Sequence, residues 1–148
     1  MRTLIVGLLA TVCGAPLPAL QAVQKRGADQ ATLYYFFSPS TTASFEGAKR
    51  AVAFQKAQKE RVKLRLVMLL DDFSVIRKLE EASPLYKTLK ELQSQGTLDI
   101  PLYDEEGLRL AELWGIRAVP AFVLVSHGRA HRALGPVVNL EEMLECRP

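Results

Sequence analysis

Cysteine is scarce in this chain. Only two of its 148 residues are cysteines, Cys13 and Cys146, and no Cys-x-x-Cys pair occurs anywhere. This scarcity excludes a disulfide framework and a zinc site built from paired cysteines. Three other signatures are missing: a glycine-rich phosphate loop, a His-Glu-x-x-His metal site and a Gly-x-Ser-x-Gly nucleophile elbow. We therefore expect no cofactor and no bound metal.

A strong excess of one charge is also missing. Nineteen Lys and Arg residues oppose 16 Asp and Glu residues, which gives a net charge of +3. Because acidic and basic residues are interleaved, the charge pattern does not favour a nucleic-acid partner. Apolar residues make up 49% of the chain and charged residues 24%. This composition is typical of a globular protein, and the length predicts one domain.

A long apolar run is absent as well. The apolar stretch from Thr3 to Val12 is too short for a stable membrane span. It follows the positive start Met1-Arg2 and precedes small residues and prolines at 14–19. This order is typical of a secretory signal peptide, which we place at residues 1–22. A buried N-terminal helix or strand is the alternative.

Export would leave one cysteine in the mature chain. Cleavage after Ala19 or Ala22 removes Cys13, and a linker at residues 23–30 then precedes the domain. Cys146 becomes a candidate free thiol, either inert or paired with a partner, and no internal disulfide can form. In a minority alternative, Cys13 is lipidated and anchors the protein. Otherwise we expect periplasmic localisation with no stable membrane span after signal removal.

Apolar periodicity and turn residues divide the rest of the chain into strands and helices. The aromatic run at 31–37 lacks clean alternation, which predicts a strand buried on both faces. Ser83-Pro84 predicts a helix start, and Asn139 caps the last helix. The predicted extended segments are 31–37, 62–70, 98–103, 121–125 and 129–134, and the predicted helices are 44–61, 73–82, 84–95, 108–114 and 140–146. Asp71-Asp72 is interpreted as a turn at a strand end.

The segment Gly115-Ile116-Arg117-Ala118-Val119-Pro120-Ala121-Phe122-Val123-Leu124, followed by a turn at Gly128, resembles the cis-proline segment of the thioredoxin superfamily. The resemblance implies an α/β fold with a central mixed sheet flanked by helices, formed by a single domain at residues 31–148. It also implies a cis-proline at Pro120, before the strand at about 121–125. Val119 and Pro120 would then form a groove that pairs with an extended polypeptide.

The stretch from Tyr35 to Ser40 resembles the entry to the redox motif in the DsbA-like branch of that superfamily. Redox-active members carry Cys-x-x-Cys next, where a helix N-terminus stabilises the thiolate. Here these positions fall on Thr41-Thr42-Ala43-Ser44, and we expect the two hydroxyls to act as helix caps. A serine nucleophile would need a base. His127 and His131, near the final hairpin turn, are interpreted as surface residues.

The residues and the resemblance together predict a redox-inactive, exported, thioredoxin-like protein without catalytic residues. It would bind another envelope protein or an extended polypeptide. In size, export signal and cis-proline end, the chain is similar to the TraF- and TrbC-like proteins of conjugative (type IV secretion) pilus assembly. The alternative is a thiol–disulfide oxidoreductase-like enzyme that uses Cys146 or a partner's thiol.

Overall fold

The computed structural model describes residues 30–69, 83–96, 98 and 104–145. Several predictions lie outside these residues. They are the signal peptide, nearly all of the linker, Cys13, Asp71-Asp72, the helix at 73–82, most of the extended segment at 98–103, and Cys146.

The described residues form four strands and four helices in the order strand, helix, strand, helix, helix, strand, strand, helix. The strands are β1 (Ala31–Phe37), β2 (Val62–Met68), β3 (Ala121–Ser126) and β4 (Arg129–Leu134). The helices are α1 (Thr42–Ala57), α2 (Pro84–Ser94), α3 (Glu105–Leu113) and α4 (Leu140–Glu145). β1 and β4 have the predicted bounds. Asn139 caps α4 as expected, since its Oδ1 accepts a hydrogen bond from the Glu142 N–H at 3.1 Å.

One mixed sheet organises the described residues, with the strand order β2-β1-β3-β4. β1 pairs in parallel with β2 and antiparallel with β3, and β3 pairs antiparallel with β4. Because side chains alternate along a strand, β1 supplies Leu33, Tyr35 and Phe37 to one core and Tyr34 and Phe36 to the other. The first core includes residues of α1, α2 and α4, and the second includes residues of α3. The predicted mixed sheet flanked by helices is thus confirmed.

Two helices begin earlier than predicted because polar side chains cap them. α1 begins at Thr42 rather than Ser44, since the extended residue Thr41 accepts a hydrogen bond from the Ser44 N–H. α3 begins at Glu105 rather than Leu108, since Asp104 accepts one from the Gly107 N–H. The sequence analysis expected Thr41 to act as a cap but began the helix at Ser44, and it assigned Asp104 to a turn, where aspartate is common.

The end of α1 also differs from the prediction. The helix stops at Ala57, four residues before Arg61, because the Gln58 N–H bonds back to the carbonyls of Phe54 and Gln55. A short turn follows, and the Val62 N–H bonds to the Gln58 carbonyl at 3.0 Å. This tight connection leads directly into β2.

Candidate functional site

The predicted redox position lies where β1 ends and α1 begins. Thr41 is exposed, whereas Ser44 is fully buried, with 0% of its surface exposed. The Thr41 Oγ1 hydroxyl donates to Ser44 Oγ at 2.7 Å. The Ser44 N–H returns a hydrogen bond to Thr41 Oγ1 at 3.3 Å, and the Ser38 N–H donates to Ser44 Oγ at 3.1 Å. The two hydroxyls therefore hold each other and fasten the loop to the helix.

The two positions between them are the first residues of α1. Thr42 is exposed and Ala43 is half-buried. Thr41 acts as the N-cap, as expected, whereas Ser44 lies inside the helix and its Oγ accepts the hydrogen bond from the Thr41 hydroxyl. In the described part of the chain, no imidazole or carboxylate is hydrogen-bonded to either hydroxyl. Among these residues, none supplies the adjacent base that an oxygen nucleophile requires.

The cis-proline segment lies at the same end of the sheet. The Val119-Pro120 peptide bond is cis, as the resemblance implies. Ala121 pairs with Phe36, so the start of β3 meets the end of β1. Pro120 is buried, and its carbonyl accepts a hydrogen bond from the Gly135 N–H at 2.8 Å. This bond ties the proline to the end of β4.

The backbone before the proline remains available. Within the described residues, Arg117, Ala118 and Val119 make no backbone hydrogen bonds to the rest of the chain. Arg117 and Ala118 are exposed, and Val119 is half-buried. Free N–H and C=O groups in accessible backbone can pair with an extended polypeptide by strand-like hydrogen bonding. Such pairing is the chemistry that this segment offers.

An opening of about 260 Å³ adjoins the Thr41 side of the site. Pro39, Thr42 and Phe45 line it on one side, and Pro84 and Leu85 of α2 line it on the other. Ser83 joins the two sides. Its Oγ donates to the Pro39 carbonyl and accepts from the Tyr86 N–H at 3.2 Å. The same serine thus caps α2 and holds the loop in place.

His127, which the sequence analysis weighed as a possible base, does not lie near Thr41 and Ser44. His127 is exposed in the β3–β4 turn, where its Nδ1 lies 2.8 Å from Ser126 Oγ. Six residues separate it from Ala121, a distance of roughly 20 Å along a strand. His127 is therefore a surface residue, as expected, and is remote from Thr41.

His131 was predicted wrongly to lie at the surface. It is 7% exposed in β4, opposite Leu124, and its Nδ1 has no hydrogen-bond partner in the described residues. Burial lowers the pKa of His131, and the nearby Arg129 lowers that pKa further. The alternation of β4 turns this side chain toward the core, a signal that the hairpin turn obscured in the sequence.

A second polar cluster was missed by the sequence analysis. Arg65 of β2 contacts Asp104 through two hydrogen bonds, Nε to Oδ2 at 2.5 Å and Nη2 to Oδ1 at 2.6 Å. Asp104 is 4% exposed, and its Oδ1 also accepts from the Gly107 N–H at 2.8 Å. The hydrogen bond with Asp104 is the main reason that the pKa of Arg65 is raised. One sequence signal could have indicated this contact: Arg65 lies within an apolar strand, and an arginine in such a position needs an acidic partner.

Buried tyrosines separate these two clusters. The guanidinium carbon of Arg65 lies 5.9 Å from the centroid of the Tyr34 ring. Burial raises the pKa of Tyr34 to about 12. Tyr35 lies on the other face, where its hydroxyl donates to the Ser44 carbonyl. Burial also raises the pKa of Tyr35. Both tyrosines are therefore neutral at physiological pH, and both pack within the two cores.

Metal and membrane sites were searched within the same described residues. They contain no group of three or more His, Cys, Asp or Glu side chains able to hold a metal ion. None of the helices in this part of the chain is long and apolar enough to cross a membrane.

Comparison with models of protein families and with curated proteins gives no match. Solved structures do match. A thioredoxin-like protein, determined in its oxidised form in solution, is 17% identical with a TM-score of 0.55, covering 87% of this chain and 91% of that one. A thiol-disulfide isomerase from Corynebacterium glutamicum is 12% identical with a TM-score of 0.54, covering 78% of this chain and 79% of that one. The fold of the chain is therefore thioredoxin-like.

Proposed function

We propose that this chain uses a thioredoxin-like fold to bind polypeptide and does not catalyse thiol–disulfide exchange. The observation that carries the proposal is the 2.7 Å hydrogen bond between Thr41 and Ser44 at the position expected for the redox pair. Exchange requires a thiolate that attacks a disulfide sulfur. An alcohol at a helix N-terminus stays protonated and forms no such bond, so the substitution removes the chemistry and keeps the shape.

The binding groups in this proposal lie next to that pair. Val119 has a backbone N–H and C=O that bond to none of the described residues, at the sheet end where β1 meets β3. Pro120, buried behind Val119, fixes the direction of the segment. An extended polypeptide would hydrogen-bond to Val119 and lie across Thr41 and Thr42. Main-chain bonds of this kind give affinity with little sequence preference.

A thiol–disulfide oxidoreductase is the second candidate, and the names of the structural neighbours favour it over the first. One neighbour is itself a thiol-disulfide isomerase. In this chain the reacting group would be the Cys146 thiolate or a partner's thiolate. It would attack a substrate disulfide, form a mixed disulfide and release the second substrate sulfur as a thiolate.

The cellular setting is part of the first proposal. A signal peptide at residues 1–22 would send the domain to the periplasm, where its partner would be another envelope protein. The likeness in size and cis-proline segment to TraF- and TrbC-like proteins supports a role in conjugative pilus assembly. Detection of the processed chain in a periplasmic fraction would test the location separately from the binding activity.

Reduction of insulin by dithiothreitol separates the two candidates. We expect the natural chain to be inactive and a Thr41→Cys, Ser44→Cys variant to gain activity, because it restores Cys-x-x-Cys at the helix start. A Thr42→Cys, Ser44→Cys variant is the matched control, with the same thiols at the wrong spacing. Activity of the natural chain that disappears in Cys146→Ser would overturn the proposal in favour of the enzyme.

The binding half of the proposal has its own measurement. Reduced insulin B chain, titrated into isotope-labelled protein, should shift the amide resonance of Val119 and leave that of His127 in place. His127 is a suitable control because it lies at the opposite end of β3. Equal shifts at both residues, or none at Val119, would contradict binding at the proline segment.

A further inference from the structure

A narrow apolar groove of about 250 Å³ lies between α1 and α2, within the part of the chain that the structure describes. Its floor is formed by Ala48 and Val52 of α1 and by Leu85, Leu89 and Leu92 of α2. These residues recur at three- and four-residue spacing, so each helix contributes one continuous apolar stripe. The proposed polypeptide-binding function does not use this groove.

The groove is a crevice rather than a broad apolar face. Ala48, Leu85 and Leu89 are only 2%, 3% and 2% exposed. A protein partner needs roughly 800 Å² of surface on each side, and a floor this deeply recessed offers little of it. The accessible part of the groove lies between Phe45, Ala53 and Leu92, which are half-buried or exposed, and a single alkyl chain fits there. We therefore consider a small amphiphile and not a protein as the occupant.

Charge at the rim is of one sign. Lys49 and Lys56 are the only charged residues among those that line the groove. They lie seven residues apart on α1, a separation of about 10 Å along the helix axis. Lys49 already forms an ion pair with Glu46 at 3.3 Å and lies over the Phe45 ring at 4.3 Å. Lys56 makes no ion pair among the described residues, so its ammonium group is the one that can receive an anion.

The surroundings of Lys56 strengthen this preference. Lys56 lies in the last turn of α1, where the helix dipole alone would disfavour an anion. Lys59 and Arg61 follow within the next five residues, however, and both are exposed. Glu60 lies between them and is exposed as well, so the segment from Lys56 to Arg61 has three positive charges and one negative charge. The net of two positive charges outweighs the partial negative charge of a helix end. The Lys56 end of the groove therefore favours a carboxylate.

From the apolar lining, the small volume and the lysine rim, we infer that the groove between α1 and α2 binds a free, single-chain alkyl carboxylate. The alkyl chain lies between the two helices and the carboxylate pairs with Lys56. A dry apolar cavity of about 150 Å³ holds benzene, so 250 Å³ accommodates a chain of about ten carbon atoms. A two-chain phospholipid exceeds this space.

Equilibrium dialysis of the full chain against radiolabelled decanoate, below its micelle concentration, tests the site. We expect saturable binding at one site per chain. Ala53 is exposed and lines the groove, so Ala53→Phe should fill the opening without disturbing the core and weaken binding at least tenfold. Circular dichroism checks that the variant is folded. Non-saturable uptake, or unchanged binding by folded Ala53→Phe, would overturn the inference.

Charge reversal tests the lysine contact. Lys56→Glu should weaken decanoate binding by about fivefold or more and favour decyltrimethylammonium, because the surface ion pair is replaced by repulsion. Lys63→Glu is the matched control, with the same net charge at an exposed position of β2 outside the groove. Equal effects of the two substitutions would refute a specific contact with Lys56.

A third experiment distinguishes a membrane lipid from a free carboxylate as the ligand of the groove. Phosphatidylglycerol vesicles should show no binding that depends on Ala53, because their lipids carry two chains. Vesicle binding that is lost in Ala53→Phe, together with no binding of decanoate, would overturn the free carboxylate as the ligand.

Discussion

The starts of α1 and α3 perform the same task with different chemistry. Thr41 caps α1 with a hydroxyl that bonds only to Ser44 among the described residues, three residues later in the chain. Asp104 caps α3 with a carboxylate that is also bound by Arg65, 39 residues earlier. The first arrangement is local, and the second joins a helix to a neighbouring strand.

This difference indicates which of the two caps tolerates a change of side chain. A local cap can exchange a sulfur for an oxygen and still close the first turn of its helix. A cap that also neutralises a buried arginine has no neutral substitute, since an unpaired charge in the core is costly. The fold could therefore survive the replacement of the predicted redox pair, whereas the Arg65–Asp104 contact has to be retained.

Asp104→Ala should have the largest effect. The substitution removes the cap of α3 and leaves Arg65, whose side chain is 20% exposed, without its buried partner. We expect a loss of about 3 kcal/mol in the free energy of unfolding, measured by urea denaturation. Glu106→Gln is the control, because Glu106 is 60% exposed and contacts Arg65 only at 3.4 Å. It should cost about 0.5 kcal/mol or less. A similar small loss for Asp104→Ala would remove the distinction between the two helix starts.

The sequence predicted the framework of the fold more completely than it predicted this contact. Strands such as β1 and β4 are short segments bounded by clear turn residues, so their limits follow from local pattern. The pairing of Arg65 with Asp104 depends on β2 and α3 being brought together, which no local pattern encodes. For His131 the decisive factor was the direction of one side chain in β4. Capping moved the starts of α1 and α3 because Thr41 and Asp104 suit turns and caps equally.

The candidate site divides in the same way. Thr41 and Ser44 were identified by position relative to β1, and Pro120 by the apolar run that follows it, so both parts came from sequence order. Their position at the same end of the sheet could not be predicted, because it depends on the antiparallel pairing of Phe36 with Ala121. The connection from Pro39 to Ser83 was not predictable, because a single hydroxyl links the loop to α2, 44 residues later in the chain.

Glycine substitutions test whether both helix starts are packed equally tightly against the sheet. A Cβ at Gly47 would overlap the Tyr35 ring, with Cε2 and Cζ at 2.9 Å, and a Cβ at Gly107 would overlap Val67. Both neighbours are fully buried, so neither can move aside. Overpacking costs about 1–3 kcal/mol and outweighs the gain of about 1 kcal/mol in helix propensity. We expect Gly47→Ala and Gly107→Ala each to lose about 2 kcal/mol.

Thermal or urea unfolding measures these two losses. Ala53→Gly, at an exposed position in α1, calibrates the propensity contribution alone and should cost about 1 kcal/mol. A stabilising Gly47→Ala with a destabilising Gly107→Ala would mean that the two starts differ in packing as well as in charge. The difference between α1 and α3 would then include their packing against the sheet as well as the chemistry of their caps.

The smallest expected effect is at the hydroxyl pair, where Thr41→Ala and Ser44→Ala should each cost about 1 kcal/mol. Because both substitutions remove the same 2.7 Å hydrogen bond, the double variant should lose less than the sum, by about 0.5 kcal/mol or more. Ser40→Ala, whose exposed hydroxyl contacts only Ser38, is the control and should lie within about 0.5 kcal/mol of the natural chain. Non-additivity would mean that the hydroxyls act as one link between loop and helix. Strict additivity would mean that they only fill space, and the preserved shape of the binding site would then have to depend on Ser83 and Pro39 instead.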